Sequence, residues 1–171
     1  MTERSSDNRV VEIGGRSTGV NGTSGARTHE EITARWSGHL VELAAGRAPV
    51  RLRTLPEMRA DARGLVHGGF VFSLADHCAM LAVNEPNVVL ASVEMSFLAP
   101  VAVGETVEAA GRVTSSRGRK HQVEVTVVRD AGGTPVPVAR GAFSCVVTDR
   151  HVLDGPAPRQ PAAPAGGSDE R

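Results

Sequence analysis

The chain has 171 residues, 40% of them apolar, and a formal net charge of zero. That length supports one domain with a real core, and the balanced charge excludes the electrostatic pull that recruits basic proteins to nucleic acid or anionic membranes. No apolar run approaches the roughly 18 residues that span a bilayer, and the start has no apolar stretch of the secretory kind.

Residues 1–27 are rich in Gly, Ser, Thr, Asn and Arg without periodicity and read as a disordered arm. Within it Gly15-Arg16-Ser17-Thr18-Gly19 matches the serine-hydrolase elbow G-x-S-x-G, but that elbow needs a strand before it and a helix after it, and this stretch has neither. The folded unit is expected over 28–153. Thr28-His29-Glu30-Glu31 has the capping-box pattern and predicts a short helix running toward Trp36. Residues 40–43 and 50–53 flank Ala45-Gly46-Arg47 as a first hairpin. The run from Gly68 to Val83 is apolar nearly all round, which predicts a helix buried on every side, and Pro86 ends it.

Strand-like segments follow at 88–98, 106–114, 122–128 and 136–148, the middle two alternating in period two with Val107, Ala109, Val113, Val123, Val125 and Val127 inward. Turn material at Ser116-Arg117-Gly118 and Ala131-Gly132-Gly133 separates them. Residues 154–171 are Pro-, Ala- and Gly-rich and read as a disordered tail. One long buried helix with four or more antiparallel strands gives an α+β domain, the sheet curled around the helix. Cys78 and Cys145 lie in apolar segments without metal or redox spacing, so reduced, buried thiols in a cytoplasmic protein are expected.

The predicted helix carries two costly features. His67-Gly68-Gly69 opens it with two glycines, and Asp76 places a carboxylate in an apolar run nine residues after the histidine. Backbone N–H groups at a helix start have no intrahelical partner and meet the positive end of the helix dipole, a ready site for an oxyanion. Asp76 read by itself is open to a structural role, satisfied by buried hydroxyls, or a catalytic one.

The string His67-Gly68-Gly69 followed by Ser73-Leu74-Ala75-Asp76 resembles the hotdog-fold acyl-CoA thioesterases of the PaaI-like (phenylacetate-pathway) type. Met95-Ser96-Phe97-Leu98-Ala99-Pro100 and then Gly104-Glu105 resemble the next block of that family, and the likeness covers about residues 36–149. The resemblance implies the hotdog fold, an antiparallel sheet around one long central helix. It also implies at least a homodimer pairing two sheets edge to edge, with a dimer of dimers as the larger assembly. The activity implied is hydrolysis of an acyl-CoA to free acid and CoA without metal or redox cofactor. Gly68 is then the oxyanion donor, His67 orients the turn, Gly69 contacts substrate, and Asp76 is general base or nucleophile.

Helix rise adds a constraint: nine residues set Asp76 roughly 13 Å from His67, beyond the reach of one carbonyl. If both ends act, Gly68 of one chain meets Asp76 of another. Where many relatives carry a substrate-orienting asparagine, six residues before the histidine, this chain has Asp61. That acid either converges on the site and raises a pKa or turns away. Ser92 lies near where some relatives place a water-binding hydroxyl, with Glu94 two residues on read as a solvated or interface charge. Arg117, Arg119 and Lys120 cluster at a hairpin tip, either as a CoA-phosphate site or as plain surface charge. His77 and Cys78 read as core neighbours. Two other classes share the fold: a hydratase/dehydratase, whose usual proline-glycine turn before the helix is missing here, and an acyl-CoA-binding module without catalysis. The scarcity of aromatic residues leans toward an aliphatic or small acyl group.

Overall fold

The computed structural model describes residues 25–155. The expected arm and tail, and the elbow-like stretch at 15–19, lie outside those residues except at their inner ends. Chain order is α1 (Ala34–Ser37), β1 (His39–Leu40), β2 (Val50–Arg53), α2 (Gly68–Val83), β3 (Val88–Phe97), β4 (Thr106–Arg117), β5 (Lys120–Asp130) and β6 (Pro135–Val147), with single 3-10 turns at Pro56–Met58 and Val152–Asp154. The strands form one antiparallel sheet in the order β1-β2-β4-β5-β6-β3, wrapped on α2. This is the hotdog architecture.

The alternation read from the sequence sets which face meets the helix. Val107, Ala109 and Gly111 of β4, Val123, Val125 and Val127 of β5, and Phe143 and Cys145 of β6 are buried inward. Along α2, Leu74, Ala75, Cys78, Ala79, Met80 and Leu81 are at most 1% exposed, as expected of a helix with no polar stripe. Helix and sheet approach closely at Gly111, where a Cβ would stand 2.8 Å from Cys78 Sγ. Cys78 donates to Ala48 O at 2.9 Å, and both cysteines are free and buried.

The N-terminal reading needs correction. Thr28 Oγ1 bonds His29 Nδ1 at 2.8 Å instead of capping a helix, and His29 has φ +54°, which breaks helical geometry. Only one helical turn, Ala34–Ser37, forms. Residues 25–28 instead run beside the end of α2, pinned by Asn84: Arg27 N–H donates to its Oδ1 (2.8 Å) and its Nδ2 donates to Gly25 O (3.0 Å). The first hairpin forms, but β1 is two residues long because Ala44 and Arg47 close their own tight turn around Gly46 at φ +71°. The β4–β5 hairpin extends further than its alternation suggested and turns at Gly118-Arg119, Gly118 taking φ +57°.

β3 is the long edge of the sheet. It pairs with β6 along its length, with a register shift between Leu90 and Ser92, and no strand among the described residues covers its other side. Val93, Phe97 and Leu98 are 37%, 56% and 48% exposed there. A long apolar edge of this kind is a template for pairing with another chain. No helix among the described residues is long and apolar enough to cross a membrane.

Candidate active site

The start of α2 is built by His67. Its backbone is extended (φ −63°, ψ 130°), and its side chain caps the helix: Gly69 N–H donates to His67 Nδ1 at 3.0 Å. An Nδ1 that accepts holds the ring as the neutral Nε2–H tautomer. The cap also explains the second glycine, since a Cβ at Gly69 would lie 2.8 Å from His67 Nδ1. The two glycines therefore differ in function. The Gly69 amide is committed to the cap, whereas the Gly68 amide has no partner among the described residues and sits at the positive end of a 16-residue helix. Phe97 flanks it, the ring edge 3.4 Å from where a Gly68 Cβ would be.

Asp76 lies two turns further along, eight residues from Gly68, or about 12 Å of helix rise. Its carboxylate is half-buried, and Oδ1 is buried without a hydrogen-bond partner among the described residues. Burial raises its pKa from the ordinary 3.8 to about 6. Cys145 of β6 is its neighbour: burial and then the Asp76 charge push that thiol up to about 12. An unpaired carboxylate in a largely apolar setting is a poor structural element and a well-tuned base near neutrality.

The remaining predicted residues fall in three places. Asp61 is exposed and turned into its own loop, where Oδ1 accepts from Arg63 N–H (2.9 Å) and Leu65 N–H (3.1 Å). Within one chain it does not converge on Asp76, whose shift has burial as its cause. Ser92 is exposed on β3 just past the register shift, and Glu94 beside it is exposed too. At the β4–β5 tip Arg117 faces Lys120 in register, while Arg119 pairs with Asp149 at 2.7 Å. His77 points away from Asp76, its Nδ1–H donating to Ser37 O at 3.1 Å, and burial first lowers its pKa. It is a core neighbour, as read from the sequence.

One chain thus brings His67, Gly68 and Gly69 together and leaves Asp76 apart from them. Two neighbours escaped the sequence reading in their roles: Cys145 against Asp76 and Phe97 against Gly68. Each comes from a strand far along the chain, and no spacing signals that Phe97 lies against Gly68 or that Cys145 lies within reach of the Asp76 charge.

Residues 63–136 match the family model described as the thioesterase superfamily. A methylthioribose-1-phosphate isomerase of Aquifex aeolicus is 50% identical over 99 residues, which are 58% of this chain and 22% of the isomerase. The chain therefore spans about a fifth of that curated relative. Among solved structures, the uncharacterized protein PH1136 from Pyrococcus horikoshii is 44% identical with a TM-score of 0.72, over 75% of this chain and 96% of that one. The smu.793 protein from Streptococcus mutans, solved bound to acetyl CoA, is 23% identical with a TM-score of 0.62, over 71% and 96% respectively. The chain belongs to the hotdog-fold thioesterase superfamily.

Proposed function

We propose that this member of the thioesterase superfamily hydrolyses an acyl-CoA thioester at a site shared by two copies of the chain. The observation that carries the reading is a pair of groups on α2 left unsatisfied among the described residues: the free Gly68 amide and the half-buried Asp76 carboxylate, whose Oδ1 is buried without a partner. The first is what a developing oxyanion needs, and the second is what an attacking water needs. The acetyl-CoA complex of the Streptococcus mutans protein supports CoA thioesters as ligands of this fold.

The step balances simply. The Gly68 amide donates to the carbonyl oxygen as Asp76 takes a proton from water, whose oxygen bonds to the acyl carbon. The C–S bond then breaks, and the thiolate recovers the proton from Asp76, leaving the acid and CoA. Direct attack by Asp76, with hydrolysis of the resulting anhydride, uses the same geometry.

The β3 edge supports the sharing. Phe97 flanks Gly68, and Leu90 pairs with Cys145, the neighbour of Asp76. If two β3 edges pair antiparallel about a two-fold axis near Val93 and Glu94, Phe97 of one copy meets Leu90 of the other. Gly68 then comes level with Asp76 of the partner subunit. The same pairing brings the partner's 117–120 hairpin tip to within about three strand spacings, roughly 14 Å, of that end. The exposed Arg117 and Lys120 suit the CoA phosphates there.

Free-thiol release from a panel of acyl-CoAs tests the reading. At least one should turn over, and Asp76→Asn should lose most of kcat while substrate binding survives. Binding without turnover across the whole panel would overturn hydrolysis in favour of a binding module, and hydration of an enoyl-CoA would point to the hydratase class.

A further inference from the structure

Beside Gly68 lies a groove of about 370 Å³ whose walls include Val66, Val71, Phe97, Leu98 and Val138, and whose lining side chains are all apolar. Three of the large hydrophobic side chains on it, Leu65, Phe97 and Leu98, stand 42%, 56% and 48% exposed. Part of that exposure belongs to the β3 edge that the proposed pairing covers, so the apolar lining and its place beside Gly68 carry the inference. From this groove and the place of Gly68 in its lining, we infer that the enzyme's substrates carry unsubstituted aliphatic acyl chains, seated here with Phe97 and Ala99 setting their length. The inference rests on the thioesterase reading and adds the substrate class.

Three observations favour the acyl chain over other occupants. Gly68 is itself part of the groove's lining, so a chain whose carbonyl meets the Gly68 amide has this apolar surface beside it. The pantetheine arm of CoA carries two amides, and no side chain of the lining offers a donor or acceptor to them. The apolar lining also has a limit: Leu65, Pro100 and Val101 are shared with an adjoining cleft that is lined as well by Asp61, Arg63, Glu105 and Arg129. A methyl terminus loses nothing by stopping short of those charges, whereas a chain long enough to reach them gains no further apolar contact. An ω-carboxylate that stops short of that cleft would lie against apolar side chains with no cation to pair it.

The quantitative expectation follows from burial. Each methylene added within the groove should raise kcat/KM about fourfold, the equivalent of about 0.8 kcal/mol, until the groove is full. An ω-carboxyl chain of the optimal length should be worse than its methyl-ended counterpart by at least about a hundredfold.

The test compares acetyl-, butanoyl-, hexanoyl-, octanoyl-, decanoyl- and adipoyl-CoA on wild type, Phe97→Ala and Ala99→Phe, with thermal melting to establish that each variant is folded. Phe97→Ala should move the optimum to longer chains and Ala99→Phe to shorter ones. Calorimetric binding of CoA, acetyl-CoA and octanoyl-CoA to Asp76→Asn provides a readout independent of turnover. Tighter binding with chain length, shifted by both groove variants, supports the inference even if no acyl-CoA is hydrolysed, in which case only the hydrolysis reading fails. Binding and kcat/KM that ignore chain length, adipoyl-CoA preferred over octanoyl-CoA, or a length profile that neither folded variant moves would overturn it. The last of these would mean that a second copy of the chain fills the groove.

Discussion

Asp76 should weaken the fold that holds it. Its pKa rises from 3.8 to about 6 because burial penalises the charged form. The sign follows from linkage: between those two values the native state binds more protons than the unfolded chain, so stability falls as pH rises. Above about pH 6 the full penalty applies, about 3 kcal/mol for a shift of this size, and roughly 2 kcal/mol of it develops between about pH 4 and pH 8. Asp76→Asn removes the titration while keeping the shape, at the cost of burying an amide whose own hydrogen bonds are unmet. That cost is independent of pH, so the informative quantity is the change in the variant's relative stability between the two conditions. Urea unfolding of both proteins should show Asp76→Asn gaining about 2 kcal/mol on wild type from pH 4 to pH 8, at matched protein concentration because an oligomer's stability depends on it. The same titration should appear in activity, kcat/KM falling about tenfold per pH unit below about 6 as the base is protonated. A variant whose relative stability is flat across this range would refute the assignment of a desolvated, unpaired carboxylate, and with it the reason for expecting a tuned base.

Four other outcomes are expected. His67→Ala removes the helix cap and should cost about 1 kcal/mol, read as a lowered Tm, with kcat reduced because the Gly68 amide loses its fixed direction; an unchanged Tm would mean that the bond from Gly69 contributes nothing. Val93→Glu adds carboxylates beside Glu94 at the proposed two-fold axis, so sedimentation should find a folded monomer with at least about a hundredfold less activity; a fully active monomer would end the shared-site reading. Gly111→Ala forces a methyl against Cys78 Sγ and should cost about 1–3 kcal/mol, and Cys78→Ala in the same chain should recover part of it; additivity of the two changes would show that the close approach is not the cause. Arg117→Ala with Lys120→Ala should raise KM for an acyl-CoA several-fold and leave the corresponding acyl-pantetheine unaffected; equal effects on both would move the phosphates elsewhere.

Local rules made the central helix readable. Its start and end coincide with the predicted Gly68–Val83 because the glycine pair, the unbroken apolar run and the downstream proline act over neighbouring residues. The strands were legible as period-two alternation, but their ends were not: the β4–β5 hairpin continues to Gly118-Arg119 because cross-strand pairing extends a ladder through polar residues that carry no alternation signal. The N-terminal turn misled because Thr28 and Glu31 fit a cap that His29, held at positive φ, prevents. At the site, the family resemblance singled out Gly68 over Gly69, and the His67 ring, which takes the Gly69 N–H, supplies the physical reason.

The sequence alone determined the fold class, the buried helix and the separation of Gly68 from Asp76, because periodicity and helix rise depend on residues close together in the chain. Tertiary structure decided the rest. It turned Asp61 into its own loop, set Phe97 over Gly68 and, among the described residues, left Asp76 Oδ1 buried without a partner and the β3 edge open. Burial and desolvation belong to the packed assembly of distant segments, so no spacing along the chain encodes them.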